Sequence, residues 1–365
     1  MSKKIMVVVG TRPNFIKVTQ FEKEIAAYGS EFEFILVHTN QHYDENMSDV
    51  FFSQLKIKNP IFLNITNTAP SGQIGQIIIE LEKTIHEIKP DALVVVGDVN
   101  STLAGAIAGN KTGTRLFHLE SGLRSYDNEM PEEINRLITD LIADDFFVTE
   151  QSGYDNLIKA GKTEKQIHFV GNTMIDTLVA FDELIQQNDI LEKLGIPEKS
   201  FVLMTMHRPS NVDTKERLQI LLDIIKKIAE KSYLVLPIHP RTKNSLVKHG
   251  LMDELTNNPK VIITEALNYL AFQKLISTCK YVLTDSGGIQ EETTYRQIPC
   301  LTLRENTERP STIILGSNEL VEYNYEAVAE KINQIENGTF KKGQIPPFWD
   351  GKATKRIVEV LRRVL

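Results

Sequence analysis

Three carboxylates stand in settings that suit proton transfer: Asp98 in Gly97-Asp98-Val99-Asn100, Glu120 in Glu120-Ser121-Gly122, and Glu132 in Pro131-Glu132-Glu133-Ile134-Asn135-Arg136. Taken singly, Asp98 could cap the helix that starts near Ser101, and Glu120 could simply enter a turn. Three acids on neighbouring loops of one sheet edge are better suited to acid/base work, because gathered carboxylates push some of their pKa values upward. Glu132 and Arg136 lie one helical turn apart. They read either as a solvent-exposed pair or as a carboxylate held by an arginine at a cleft. Opposite charge comes from Arg12, Lys17, His207, Arg208, His239, Arg241 and Arg309, and His207 could donate to a phosphate or a departing anion. Asp285-Ser286-Gly287-Gly288-Ile289-Gln290-Glu291-Glu292 follows an apolar run and leads into a helix. Adjacent glycines and free amides at a helix start favour an anion such as phosphate, and one of the two glutamates could accept ribose hydroxyls. The plainer alternative is a tight turn with Asp285 or Ser286 as N-cap. Together these residues suggest a nucleotide diphosphate whose attached group meets the acids.

The elements that must position them are short apolar runs separated by helix-length stretches. Strands are expected at 5–9, 34–38, 92–96, 115–119, 146–149 and 168–170, then at 201–206, 233–238, 261–263, 281–284 and 300–303. Runs apolar on consecutive residues are buried on both faces, so the sheets are expected to be parallel with helices on each side. The fold class is therefore α/β, with two Rossmann-like doubly wound parallel sheets facing a cleft. The expected domains are 1–172, carrying the carboxylates, and 200–350, binding the nucleotide, joined by a linker helix at 173–199. A terminal helix at 351–365 could pack back on the first domain. Ligands of such sheets sit outside the carboxyl ends of the strands, where all the loops above fall. In the helix opened by Pro131, Ile134, Leu137, Ile138, Leu141 and Ile142 form an apolar stripe, with Glu132 and Arg136 nearly opposite.

Composition narrows the function. The 365 residues are 41% hydrophobic and 24% charged with a net charge of −7, which argues against nucleic acid or a membrane surface held by charge alone. The start, Met1-Ser2-Lys3-Lys4 and five apolar residues, is too short for a signal peptide, and no run approaches a membrane span, so a cytoplasmic protein is expected. Cys279 and Cys300 form no metal or disulfide framework, and His38 with His42 lies across a strand end. No two glycines are separated by a single residue, so the dinucleotide fingerprint is absent. Gly161-Lys162-Thr163 lacks the first P-loop glycine, since position 156 is Asn156.

With these residues in view, the chain resembles the non-hydrolysing UDP-N-acetylglucosamine 2-epimerases over nearly its whole length. The matches are Gly10-Thr11-Arg12-Pro13-x-x-Ile16-Lys17, Gly97-Asp98-x-Asn100-Ser101-Thr102, His118-x-Glu120-x-Gly122-Leu123-Arg124 and Met130-Pro131-Glu132-Glu133-x-Asn135-Arg136. They continue with Gly171-Asn172-Thr173, the Asp285–Glu292 segment and Arg304-x-x-Thr307-Glu308-Arg309-Pro310. The resemblance implies a glycosyltransferase-B fold, usually homodimeric, that epimerises its UDP-sugar at C2 for surface polysaccharide synthesis without cofactor or metal. It implies Asp98, Glu120 and Glu132 at the sugar as acid/base groups, with Lys17, Arg136 and His207 serving the same site. Arg12, Ser286, Gly287, Gly288 and Arg309 fall to the phosphates, and Glu292 to the ribose. Two loops depart from the family pattern, Arg208-Pro209-Ser210-Asn211 and Thr39-Asn40-Gln41-His42-Tyr43-Asp44. Activation by a second UDP-sugar is therefore not expected to transfer, and UDP-2,3-diacetamido-2,3-dideoxyglucuronate is an alternative substrate. A hydrolysing epimerase, a glycosyltransferase of the same fold and a nucleotide-sugar sensor are the other readings.

Overall fold

The computed structural model describes residues 2–40, 60–67 and 69–365. The loop residues Gln41, His42, Tyr43 and Asp44 therefore lie outside the described residues. The chain forms two compact units, Met1–Ala180 with Pro347–Leu365, and Phe181–Pro346.

The first unit is built on a seven-stranded sheet whose strands pair in parallel in the order β3-β2-β1-β4-β5-β6-β7. Its strands are β1 (Lys3–Val9), β2 (Phe32–His38), β3 (Ile61–Phe62), β4 (Ala92–Val96), β5 (Leu116–Leu119), β6 (Asp145–Val148) and β7 (Ile167–Phe169). The central strands are buried along their whole length, as in Ala92–Val96, because helices cover both faces. The second unit has a six-stranded parallel sheet in the order β10-β9-β8-β11-β12-β13. These strands are β8 (Phe201–Thr205), β9 (Tyr233–Pro237), β10 (Val261–Thr264), β11 (Val282–Thr284), β12 (Cys300–Thr302) and β13 (Asn318–Leu320). Each unit has its own core; Met6, Val95 and Phe146 belong to one and Met204, Leu236 and Leu283 to the other.

Both sheets reverse their strand order at one place, between β1 and β4 and between β8 and β11. At such a switch point successive helices lie on opposite faces and leave a crevice at the strand ends. Two strands had no counterpart in the sequence reading. β3 is only two residues, both exposed, and β13 reads Asn-Glu-Leu, which is no apolar run. The segment read as a linker is divided between the units. Helix Thr173–Ala180 belongs to the first, and helices Asp182–Gln186 and Ile190–Leu194 to the second. The last helix, Ala353–Val364, packs on the first unit with Ile357, Val358 and Leu361 buried. Its start is held by Asp176, whose carboxylate accepts from Ala353 N at 3.0 Å and Thr354 N at 2.6 Å.

The apolar stripe of the helix Pro131–Ile142 lies mostly on its outward face. Ile134, Leu137, Ile138 and Leu141 are 40, 41, 36 and 72% exposed, while Glu133, Asn135, Arg136, Thr139 and Asp140 are buried. The helix turns its polar face inward because charged partners wait there, as the site shows.

Candidate functional site

In the first unit, residues after β1, β4 and β5 meet at the switch point. Thr11 caps the helix Arg12–Val18, and Asn14 closes the turn by accepting from Thr11 N at 3.3 Å. Asn14 Nδ2 also donates to the Val96 carbonyl at 3.2 Å, tying this helix to the end of β4. Lys17, one turn further on the same face, donates to Glu120 Oε2 at 2.6 Å, and both side chains are buried. Glu120 has φ +68°, a region that a residue with a Cβ seldom adopts. Arg12 is the first residue of its helix; its side chain lies outside the described set.

Asp98 follows Gly97, which has φ +69° and so needs glycine's freedom. A Cβ at position 97 would lie 3.3 Å from Lys17 Nζ and 3.8 Å from Glu120 Oε2, so the turn passes close to that ion pair. Arg136 reaches Asp98 Oδ2 with Nε at 2.9 Å and Nη2 at 2.8 Å, and its third nitrogen pairs with Glu133. Asn135 Nδ2 donates to the Asp98 carbonyl at 2.9 Å. Glu133 further accepts from Ser125 N at 2.9 Å and Tyr126 N at 3.2 Å, which binds the 121–130 loop to the helix. This corrects the expected Glu132–Arg136 pair. Arg136 points inward to Asp98 and Glu133, whereas Glu132 is half-buried in the first turn.

Behind these groups, Asp140 accepts from His118 Nδ1 at 2.7 Å and pairs with Arg124 at 2.6 Å. Burial alone would raise the Asp140 carboxyl; His118 and Arg124 outweigh it and hold it below the ordinary carboxylate value.

In the second unit, β8 and β11 end side by side. His207 follows β8, and its Nδ1 pairs with Asp285 Oδ1 at 2.7 Å, while the histidine side chain stays 42% exposed. Asp285 is fully buried and also accepts from His207 N at 3.0 Å, Arg208 N at 2.8 Å and Asn211 Nδ2 at 3.2 Å. Burial would raise its carboxyl, but His207 and these amides hold it below the ordinary value. An Asp on Nδ1 fixes the ring and leaves Nε2 for other work. His239 lies with its ring 5.6 Å from that of His207, and burial, then the charge on His207, lowers its pKa.

Ser286 stands at the N-cap of the helix Gly287–Arg296, yet its hydroxyl makes no capping bond. Of the two caps considered from sequence, Asp285 instead anchors His207. A Cβ on Gly287 would lie 2.8 Å from Glu308 Oε1 and 3.0 Å from Arg309 Nη1, so the helix start passes close to that ion pair. Arg309, read as a phosphate ligand, is buried and held by Glu291 at 2.8 Å and by Glu308. Arg304 pairs with Glu308 at 3.0 Å. Glu292 is buried, and its carboxyl is pushed up to about 7, first by burial and then by Glu291, against Gln273 and Arg296.

The sequence reading missed Asn14, Glu133, Asp140 and the anchoring role of Asp285. Asp140 could have been found as the residue one turn beyond Arg136 on the polar face. Among the described residues, no group of three or more His, Cys, Asp or Glu could hold a metal ion. No described helix is long and apolar enough to cross a membrane.

Two doubly wound parallel sheets, each gathering polar residues at its switch point, define a glycosyltransferase-B-like α/β enzyme. The family model described as UDP-N-acetylglucosamine 2-epimerase matches residues 24–362. The UDP-N-acetylglucosamine 2-epimerase of Methanocaldococcus jannaschii is 38% identical over 98% of both chains. The UDP-2,3-diacetamido-2,3-dideoxy-D-glucuronate 2-epimerase of Pseudomonas aeruginosa is 35% identical over 99% of this chain and 100% of that one. The crystal structure of the Methanocaldococcus jannaschii enzyme with UDP-GlcNAc and UDP matches at a TM-score of 0.88, covering 99% of each chain. The chain belongs to the UDP-N-acetylglucosamine 2-epimerase family, a family of isomerases.

Proposed function

We propose that this enzyme interconverts UDP-N-acetylglucosamine and UDP-N-acetylmannosamine by reversible loss of UDP, without net hydrolysis. The observation that carries the reading is the pair of acids after adjacent strands β4 and β5, each with its own cation: Asp98 with Arg136 and Glu120 with Lys17. The C2 proton of a 2-acetamido sugar has no neighbouring carbonyl to acidify it. Breaking the C1–O bond supplies that activation, because oxocarbenium character at C1 loosens the C2 hydrogen. The bond's electron pair leaves with UDP, a carboxylate takes the C2 proton, and a C1–C2 double bond remains as 2-acetamidoglucal. Return of a proton to C2 on the other face, with attack of the UDP oxygen on C1, completes the epimer, and no oxidant enters. Asp98, Glu120 and Glu132 serve as base and acid on the two faces. His207, fixed through Nδ1 by Asp285, donates from Nε2 to the departing diphosphate. Ser286, Gly287 and Gly288 at their helix start receive the phosphates with Arg12, and Glu292 accepts the ribose hydroxyls. Arg309 serves the same turn indirectly, holding Glu291 and Glu308 beside Gly287.

The test is incubation with UDP-N-acetylglucosamine in heavy water, followed by proton NMR. A manno-configured UDP-sugar with deuterium at C2 is expected, and Glu120→Gln is expected to slow its formation at least 100-fold. Wild-type rates in that variant would refute the role of Glu120. Accumulating free sugar would mark a hydrolysing enzyme. An unchanged substrate would shift the reading to the diacetamido-glucuronate compound, which the 35% identical relative favours.

We also propose that the enzyme works as a homodimer, with a second copy covering the outward face of the helix Pro131–Ile142. Ile134, Leu137, Ile138 and Leu141 recur at helical spacing on that face, a contiguous apolar patch rather than scattered exposed residues. Sedimentation should give twice the chain mass, and Leu141→Glu should return it to a single chain. A wild-type monomer at micromolar concentration would refute the dimer.

A further inference from the structure

His118 lies on β5 two residues before Glu120 and is fully buried. Its Nδ1 is 2.7 Å from Asp140 Oδ1, and its Nε2 is 2.8 Å from the Gly97 carbonyl oxygen. Both neighbours are acceptors with no hydrogen to give. A neutral imidazole carries one N–H, so its bare nitrogen would face an oxygen lone pair at hydrogen-bond distance. An imidazolium, with a hydrogen on each nitrogen, satisfies both contacts.

The local charge points the same way. The Asp140 carboxylate is buried against His118 Nδ1, and a buried charge favours an opposite charge beside it.

The place of this cation in the fold defines its task. Gly97 joins β4 to Asp98, and the segment is held at three points. His118 holds the Gly97 carbonyl, Asn135 the Asp98 carbonyl, and Arg136 the Asp98 carboxylate. A glycine at φ +69° can pivot where other residues cannot, so a loose Gly97 carbonyl would let the next peptide rotate and carry Asp98 with it.

We propose that His118 is a positioning residue of the reaction: an imidazolium, balanced by Asp140, that clamps the Gly97–Asp98 peptide and so sets the Asp98 carboxylate against the sugar. The proposal rests on the acid/base role given to Asp98 above.

His118→Gln removes the charge and keeps one amide donor. Its kcat should fall about 100-fold, the scale of an ångström's misplacement at the reacting centre, with KM and UDP affinity within about threefold of wild type. In an Asp98→Asn background the same change should slow the enzyme by less than about threefold, since both act through one carboxylate. Multiplying losses in the double variant, or a near-wild-type kcat in the single one, would overturn the proposal. Should His118→Gln fail to fold, the wild-type enzyme still decides. With nitrogen-15-labelled histidine, both ring nitrogens of His118, assigned through its backbone, should appear as protonated at the assay pH. A single neutral tautomer there would overturn the proposal. The spectrum needs no substrate, so it remains readable if the wild-type chain turns over no UDP-sugar and the epimerase reading itself falls.

Discussion

Glu292→Gln should stabilise the second unit at neutral pH while weakening its hold on UDP. Glu292 is 6% exposed on the helix Gly287–Arg296, and burial is the main reason its carboxyl sits near 7 rather than at 4.5. The folded chain therefore keeps this proton over a range where the unfolded chain has released it. Stability is at its fullest below 4.5 and declines as pH rises to about 7, after which it stays lowered. At about 1.4 kcal/mol per pH unit the loss amounts to roughly 3 kcal/mol. Glutamine has no proton to release, so the variant should match wild type near pH 4.5 and exceed it by up to about 3 kcal/mol at pH 8.

Urea unfolding by far-UV circular dichroism across pH 4.5 to 8.5 would trace the difference. Hydrogen exchange in residues 287–296 would assign it to the second unit, because the lone tryptophan, Trp349, belongs to the first. Above pH 7, where Glu292 is ionised, UDP should bind the variant roughly tenfold more weakly, since an amide oxygen is a poorer acceptor than a carboxylate. Equal stabilities at pH 8, or a gap that widens toward acid, would refute the reasoning.

Two further outcomes follow from single contacts. Asp285→Asn removes the charge that fixes His207 Nδ1, so kcat should fall about 100-fold while UDP affinity changes far less, read from steady-state kinetics and calorimetry. Asp176→Ala strips the buried carboxylate that caps residues 353 and 354, and should cost about 2 kcal/mol in the first unit, seen as an earlier loss of Trp349 fluorescence on heating.

The second sheet shows what propagates from sequence and what does not. Residues 234–236 of β9 and 282–283 of β11 were legible because a strand interior buried on both faces is apolar on consecutive residues. The loops at their carboxyl ends were legible for the complementary reason, that parallel sheets bring their polar loops to one edge. β13 was hidden because an edge strand needs little apolar surface, and Asn318 instead donates to Gln290 and Thr312 inside the unit.

Sequence by itself determined the α/β class, the two strand series, and the set of acids and cations offered at the strand ends, since all of these depend on local pattern and on one topological rule. Pairing among those charges was decided only by the tertiary structure. Helical spacing put Glu132 beside Arg136, yet Asp98, His118, Arg124 and Ser125 gave the helix Pro131–Ile142 a polar interior to face, and Ile134, Leu137, Ile138 and Leu141 turned outward. Likewise Asp285, a plausible cap on its own helix, proved to be the partner of a histidine 78 residues away. The physical reason is the same in each case. A buried charge must find an opposite charge or donors in three dimensions, and that requirement outweighs the preference of any one helix for its apolar side.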